Sequence, residues 1–188
     1  SISPPWSVAQ PTQSALTVDL HLVGGEIHFG DGEVIAKGDV AISNDQIVAV
    51  GEFEVAESKL RLDCTGLVIC PGFIDLHNHS DSGVIDPERR SAMNYLMQGC
   101  TTMVTGNCGS GPIDVADYYE QIEAGGVGTN IAHLVPQGQL RRAVIGSDRR
   151  EATDAEIEEQ RELTERAMRD GAWGMSTGLI YVPSSYAS

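Results

Sequence analysis

The sequence predicts an α/β fold in which a small β-sandwich-like domain precedes a series of parallel strand–helix units. The first part of the chain alternates apolar and polar residues, whereas the later part alternates apolar runs with amphipathic helical segments. The chain also has 21 glycines and only 5% aromatic residues, which suits many tight turns between strands and helices. With 41% hydrophobic and 21% charged residues, a packed core is expected instead of disorder.

Residues 1–15 are interpreted as a leader or linker, because they are rich in Pro, Ser and Gln and show no hydrophobic period. Within them, Ser7-Val8-Ala9 resembles the small-x-small end of a secretory signal whose apolar part is missing. We expect a cytoplasmic location, and export to the periplasm is the alternative.

Residues 16–66 are predicted to form the small β domain. Apolar and polar residues alternate over 18–22, and Gly24-Gly25 then predicts a turn. A polar segment at 43–46 separates two further apolar runs and predicts a β-hairpin.

Residues 67–188 are predicted to form four strand–helix units, and this pattern fits either a (β/α) barrel or a doubly wound parallel sheet. No G-x-G-x-x-G motif follows the first strand, which argues against dinucleotide binding. Four units are half of an eight-stranded barrel of about 250 residues, so we expect a truncated chain or a protein that continues beyond Ser188. The predicted strands are 67–76, 101–105, 131–135 and 173–177, and the predicted helices are 87–98, 114–124 and 153–170.

Composition limits the partners that this chain is expected to have. The net charge of -15 repels phosphate backbones and anionic lipid, so nucleic acid and membrane surfaces are not expected partners. No apolar run is long enough to span a bilayer. The 4 cysteines form no C-x-x-C pair and no dense disulfide spacing.

The segment Pro71-Gly72-Phe73-Ile74-Asp75-Leu76-His77-Asn78-His79 carries the strongest chemical signal. His77 and His79 lie two residues apart at the end of a predicted strand, where both imidazoles can point to one ion. In a barrel, this end of the strands is where active sites form, and imidazole suits zinc, iron or nickel. Asp75 and Asp81 are candidates for carboxylates that orient the two rings.

Cys108 follows the second predicted strand and is expected at the same rim as the two histidines. It is a candidate metal ligand, while an ordinary turn cysteine and a catalytic nucleophile are alternatives. No histidine is well placed to activate it as a nucleophile, because His133 lies inside a predicted strand and His21 and His28 lie in the β domain. These three histidines are predicted to be structural.

Four arginines supply most of the cationic clusters near the predicted rim: Arg141, Arg142, Arg149 and Arg150. They could bind a carboxylate of a ligand or form surface ion pairs. The segment 181–186 follows the fourth strand and could close over a substrate or pack as a loop.

Several motifs together resemble the amidohydrolase superfamily and, within it, the N-acyl-D-amino-acid deacylases (D-aminoacylases). The likeness extends from about residue 17 to the last residue and corresponds to the N-terminal part of that family. The H-x-H segment indicates the superfamily, and the motifs that indicate the subfamily are Gly106-Asn107-Cys108-Gly109, Leu140-Arg141, Asp148-Arg149-Arg150-Glu151-Ala152-Thr153 and Gly174-Met175-Ser176-Thr177-Gly178-Leu179-Ile180-Tyr181.

The resemblance implies the first half of a TIM-type (β/α)8 barrel and a zinc-dependent hydrolase that cleaves N-acyl-D-amino acids to a D-amino acid and a carboxylate. It implies His77, His79 and Cys108 as ligands of one or two zinc ions, and Tyr181 as a residue near the substrate. The catalytic aspartate of the family is expected beyond Ser188, in the remaining half of the barrel. The resemblance implies that this second half is required for activity.

One departure and two alternatives accompany this resemblance. Family members often have Gly-His-x-x-Leu-Arg, whereas Gln137 replaces the histidine here, which leaves substrate specificity and activity open. A dihydroorotase- or hydantoinase-like hydrolase of cyclic amides is one alternative, but such enzymes bridge metals with a carboxylated lysine and no lysine follows Lys59. A catalytically inactive fragment or scaffold is the other.

Overall fold

The computed structural model describes residues 15–187, so the predicted leader, including Ser7-Val8-Ala9, lies outside the described residues except for its last residue. The chain divides into two compact units, of which the first ends at Pro71 and the second begins at Gly72. The sequence placed this boundary five residues earlier, between 66 and 67. Each unit is described by itself below.

The first unit is one mixed sheet of five strands. Three strands form an antiparallel meander, and the predicted hairpin at 43–46 is present, with Ser43 paired to Gln46. The other two strands both pair in parallel with the first strand. The strands are β1 (Leu16–His28), β2 (Val34–Ser43), β3 (Gln46–Gly51), β4 (Val55–Asp63) and β5 (Val68–Ile69).

The predicted turn at Gly24-Gly25 is wrong, because β1 continues through both glycines. The pairing of β1 with β2 shifts register on both sides of Gly25, as in a β-bulge. A Cβ on Gly25 would lie 2.6 Å from Cδ1 of Ile69, so glycine here lets β5 approach the bulge. The pairing of β5 with β1 explains why the first unit extends to Pro71.

Two small apolar clusters pack against this sheet. One contains Ala41 and the other contains Val40, and both residues are almost completely buried. Because consecutive strand residues point to opposite faces, the clusters lie on the two sides of the sheet.

The second unit contains four parallel strands in chain order, connected by helical segments. This order gives an α/β fold with a curled parallel sheet, as the sequence predicted. The strands are β6 (Phe73–Asp75), β7 (Cys100–Thr105), β8 (Asn130–Pro136) and β9 (Gly174–Ser176), and the helices are α1 (Met93–Leu96), α2 (Val115–Gly125), α3 (Gln137–Val144) and α4 (Asp154–Arg169).

Helices α2 and α4 agree with the sequence prediction, but the segment before β7 does not. Only α1, four residues long, forms within the predicted helix 87–98. Asp86 accepts hydrogen bonds from the Glu88 amide and the Arg89 side chain, which stabilises a turn, and Ala92 has a left-handed φ of 50°. Most of the segment that was expected to be helical therefore forms hydrogen-bonded turns.

The core of the second unit lies between the sheet and its helices. Met103 and Tyr118 are the largest members of one buried cluster, and Val135 and Leu140 belong to a second. These clusters hold in place the strands whose carboxyl ends are followed by the candidate functional residues. Among the described residues, no helix combines the length and apolarity needed to cross a bilayer.

Candidate metal centre

The three predicted metal ligands converge after the ends of β6 and β7. The ligand atoms of His77, His79 and Cys108 all lie within 4.8 Å of one another. The Cys108 Sγ lies 3.3 Å from Nε2 of His77, and the two imidazole centroids are 5.6 Å apart. Both histidines are exposed and Cys108 is half-buried, so an ion could reach them from solvent. Two imidazoles and a thiol at such distances are a donor set that suits zinc.

Asp75 and Asp81 act on the backbone of this site, and the prediction that they orient the imidazole rings is wrong. Asp75 Oδ1 accepts a hydrogen bond of 3.0 Å from the backbone N–H of His77. Asp81 Oδ1 accepts one of 2.6 Å from the N–H of Gly106, in the loop that carries the cysteine. Each carboxylate therefore shapes a ligand loop through its main chain.

Two buried asparagines connect the histidine loop to the cysteine loop. The Nδ2 groups of Asn78 and Asn107 donate to the same carbonyl, that of Val104, at 3.1 and 2.8 Å. Asn107 Nδ2 also lies 3.4 Å from the carbonyl oxygen of Asn78. We did not predict this role, although one asparagine lies between the histidines and the other precedes Cys108.

The Cys108 loop follows a tight path that glycine and serine make possible. Cys108 has a left-handed φ of 56°, and Gly106 has φ 80°. A Cβ on Gly106 would lie 2.1 Å from the Leu134 carbonyl oxygen, so no larger residue fits there without a shift of the backbone. Ser176, at the end of β9, accepts from the Gly109 N–H at 2.9 Å and donates to the Gly106 carbonyl. The serine thus ties both ends of the loop to β9.

Beneath the loop, His133 is completely buried and lies apart from the three converging ligand atoms. Its Nε2 lies 2.9 Å from the Pro112 carbonyl, which can only accept, so this nitrogen carries the proton. Its Nδ1 lies 2.8 Å from the hydroxyl of Thr105. Burial lowers the pKa of His133, so the ring is neutral at neutral pH.

The two remaining histidines belong to the first unit. His21 is buried, and its Nε2 lies 2.8 Å from Oδ2 of Asp39. His28 is more exposed and pairs with Glu26. Both have partners within the small sheet.

A cleft of about 360 Å³ lies beside the candidate metal ligands. His79 and Cys108 form part of its wall, together with Tyr181 and Arg142. The segment predicted to close over a substrate or pack as a loop therefore contributes to a cavity that also contains two candidate ligands. Its remaining walls come from Gly109, Ser110, Gly138, Gln139, Val182, Pro183 and Ser184.

The four predicted rim arginines have different environments. Arg141 is buried and donates 2.6 Å to the Arg150 carbonyl, so it holds a loop and is not available to a ligand. Arg150 forms an ion pair with Glu156, which raises the pKa of the guanidinium. Arg149 lies 6.0 Å from the ring of Tyr186. Of these four, Arg142 alone lines the cleft.

Gln137, which replaces a histidine of the family motif, is the first residue of α3. Its Oε1 is buried and has no hydrogen-bond partner among the described residues.

Comparison with known proteins agrees with the motifs. No family model matches the chain. A D-aminoacylase of Alcaligenes xylosoxydans xylosoxydans is 36% identical over 90% of this chain and 40% of its own length. The N-acyl-D-aspartate deacylase of the same organism is 34% identical over 90% of this chain and 38% of its own length.

Solved structures show the same relationship. A D-aminoacylase whose structure defines a subset of the amidohydrolases matches with a TM-score of 0.83 and 34% identity, over 91% of this chain and 40% of that one. The N-acyl-D-glutamate deacylase of Bordetella bronchiseptica, solved with zinc and a phosphonate inhibitor, matches with a TM-score of 0.85 and 29% identity, over 92% of this chain and 41% of that one.

The chain thus spans about two-fifths of the length of these relatives. Within that span, motifs, sequence identity and fold agree, and the chain is similar there to the N-acyl-D-amino-acid deacylases (D-aminoacylases) of the amidohydrolases.

Proposed function

We propose that this chain supplies the metal-binding part of a zinc-dependent hydrolase that cleaves N-acyl-D-amino acids to a D-amino acid and a carboxylate. The convergence of the His77, His79 and Cys108 ligand atoms within 4.8 Å carries this proposal. The relatives named for deacylation of D-amino acids, and the zinc complex of one of them, support the choice of substrate and metal.

The donor set fits the ion. His77 and His79 each offer an imidazole nitrogen, and Cys108 is a free thiol that can ligate as the thiolate. A zinc ion held by these side chains would supply the Lewis acidity that amide hydrolysis needs. Asp75 and Asp81 keep the ligand loops in place through their hydrogen bonds to the backbone.

The cleft gives a place for the substrate next to these ligands. Tyr181 lies on the wall of this cleft and more than half of its surface is exposed, which supports a role in contacting substrate. We assign proton transfer to an aspartate in the remaining half of a TIM-type (β/α)8 barrel, whose first four strands would be β6 to β9. We also propose that the first domain is β-sandwich-like. We further propose that the protein is located in the cytoplasm.

Cyclic amide hydrolysis is less well supported by the site. Such a reaction in related enzymes is expected to use a carboxylated lysine as a bridge, and the second unit contains no lysine. The distance of 3.3 Å between Cys108 Sγ and His77 Nε2 supports Cys108 in the role of a bridging or tightly binding ligand.

Zinc binding tests the metal centre directly. We expect Cys108→Ala to lose most of the zinc that the chain retains after equilibrium dialysis, because one of three converging donors is removed. Cys70→Ala is the matched control, since Cys70 is also a free thiol but lies in the first unit. Equal zinc content in the two variants would show that Cys108 is only a turn residue.

Turnover tests the substrate. A protein that contains this chain and the second half of the barrel should hydrolyse N-acetyl-D-amino acids and leave the L-enantiomers intact. Equal turnover of dihydroorotate would favour a cyclic amide hydrolase, and a zinc-loaded but inactive protein would favour a scaffold.

A further inference from the structure

The cleft beside the metal ligands contains one permanent cation and no carboxylate. Apart from His79, the only titratable base on its wall is Arg142, and none of its lining residues is Asp or Glu. In a chain with a net charge of -15, this is an unusual local balance. A cleft with a positive charge and no carboxylate on its wall favours the binding of an anionic ligand over a neutral one.

The guanidinium of Arg142 is held in place from two sides. Nη2 donates to the Val182 carbonyl at 3.2 Å, and Nη1 donates to the Ser147 hydroxyl at 3.3 Å. Within residues 15–187 it forms no ion pair, whereas Arg150 and Arg161 both pair with glutamates. Because a guanidinium has five N–H donors, three remain for a ligand.

Arg141 and Arg142 are neighbours on α3, but only Arg142 is exposed to the cleft. Arg141 is 2% exposed and donates to backbone carbonyls, whereas Arg142 is exposed and reaches the cleft. Adjacent helical residues differ by about 100° in direction, so the helix that buries one arginine presents the other. The side chain of Arg142 is therefore fixed, charged and accessible.

We propose that Arg142 binds a carboxylate of the substrate and so helps to determine which N-acyl amino acids enter the cleft. This proposal rests on the proposed function for the identity of the substrate. Such a substrate has a free α-carboxylate, and some substrates have a second carboxylate on the side chain. A planar guanidinium with free N–H groups can form the paired hydrogen bonds that either carboxylate accepts.

The test compares ligands that differ by one carboxylate, measured by calorimetric titration of the zinc-loaded chain. If Arg142 binds the α-carboxylate, Arg142→Gln should weaken the binding of N-acetyl-D-alanine about tenfold, the usual size of one lost charge-assisted hydrogen bond, and leave N-acetyl-D-alaninamide unchanged. Arg142→Lys keeps the positive charge but cannot form the paired hydrogen bonds of a guanidinium, so it should give a smaller loss of affinity. Arg149→Gln is the control, since it removes the same charge from outside the cleft lining.

A second pair of ligands locates the carboxylate that is bound. If Arg142→Gln weakens N-acetyl-D-glutamate more than N-acetyl-D-glutamine, the side-chain carboxylate is the partner; equal losses for the two indicate the α-carboxylate. The proposal would be overturned if Arg142→Gln weakened neither N-acetyl-D-alanine relative to its amide nor N-acetyl-D-glutamate relative to N-acetyl-D-glutamine, and also if Arg149→Gln gave the same loss. Arg142 would then only hold the loop at Val182.

Zinc content separates this result from the proposed function. Arg142→Gln should retain as much zinc as the unchanged chain, because Arg142 is not among the ligands. If the unchanged chain binds no zinc, the proposed metal centre fails. Titration of the metal-free chain with acetate then still decides whether Arg142 provides a carboxylate site.

Discussion

Gly178 lies against the backbone of the cysteine that completes the candidate metal centre. A Cβ at this position would lie 2.2 Å from the carbonyl oxygen of Cys108, and that atom cannot move without the loop. Gly178→Ala should therefore displace the thiol and lower zinc affinity, while most of the fold remains. Zinc affinity by competition with a chromophoric chelator, together with circular dichroism, measures both effects.

Gly83→Ala is the matched control for this change. Gly83 lies in the same unit, and its added Cβ would come no closer than 3.3 Å to another atom, the Ser80 carbonyl oxygen. Neither glycine has a positive φ, so the comparison isolates the steric contact. Unaltered zinc affinity in Gly178→Ala would show that the loop adjusts without moving the thiol.

His133 makes the stability of the second unit depend on pH. Its burial lowers the pKa of the ring in the folded state, although Asp81 at 4.0 Å acts in the opposite direction. Below about pH 6.5 the imidazole of His133 becomes protonated in the unfolded chain, whereas in the folded chain it becomes protonated only at lower pH. The free energy of unfolding of the metal-free protein should therefore fall as the pH decreases from about 6.5.

Urea unfolding at several pH values measures this effect, with His133→Gln as the comparison. The glutamine variant should be less stable at neutral pH, because it loses packing against Tyr118, but its stability should fall less between about pH 6.5 and 5. Parallel pH profiles for the two proteins would contradict the assignment to His133.

The convergence of the candidate metal ligands was predictable because they follow strand ends in one parallel sheet. His77, His79 and Cys108 are marked by residue type and spacing, and parallel strands bring their carboxyl ends together. The contribution of Ser176 was not predictable, since its hydrogen bond to Gly109 connects residues 67 positions apart. No local pattern indicates such a contact.

At the scale of elements, helix α4 shows how a local signal fixes a boundary. Thr153 accepts from the Glu156 N–H at 3.3 Å, and the Glu156 carboxylate accepts from the Thr153 N–H at 2.8 Å. This capping box lies at 153, where the helix was predicted to begin. The ion pair with Arg150 further lowers the pKa of Glu156, to about 2.

Thr153→Ala should destabilise the second unit by about 1 kcal/mol, because the first turn of α4 loses its side-chain acceptor. Helix α4 contributes the buried Ala167 to the core, so its loss of stability should appear in the unfolding of the unit. Thr153→Ser keeps the acceptor and should be nearly neutral. A urea midpoint that is the same in the alanine and serine variants would show that the capping box does not contribute.

Other elements depend on contacts between distant residues, and there the sequence was less informative. Val68 and Ile69 form an apolar run that suits a buried barrel strand, but they pair with β1 in the first unit. Helix α3 is short, has few apolar residues and contains Gly138, and it was not predicted from the sequence. Burial of Leu140 and the hydrogen bond from Arg141 to the Arg150 carbonyl stabilise this helix, which is a tertiary effect.

At the scale of the whole molecule, charge and exposed apolar surface act in opposite directions. The net charge of -15 makes copies of the chain repel one another. In the parallel sheet, however, β6 and β9 are edge strands, and Ile74 and Met175 on them are exposed by 60% and 46%. Edge strands with exposed apolar residues promote association between chains.

We therefore expect the chain, taken alone, to associate with itself more strongly as salt is added. At about 0.1 M salt, repulsion is screened beyond about 10 Å, while the attraction between apolar edges persists. Sedimentation equilibrium at low and moderate salt measures the effect. Ile74→Lys should reduce association, because it places a charge on the β6 edge. Ile157→Lys should not, because Ile157 is similarly exposed, at 55% against 60%, but lies on α4. A chain that is monomeric at every salt concentration, or equal association of both variants, would show that these edges do not attract one another.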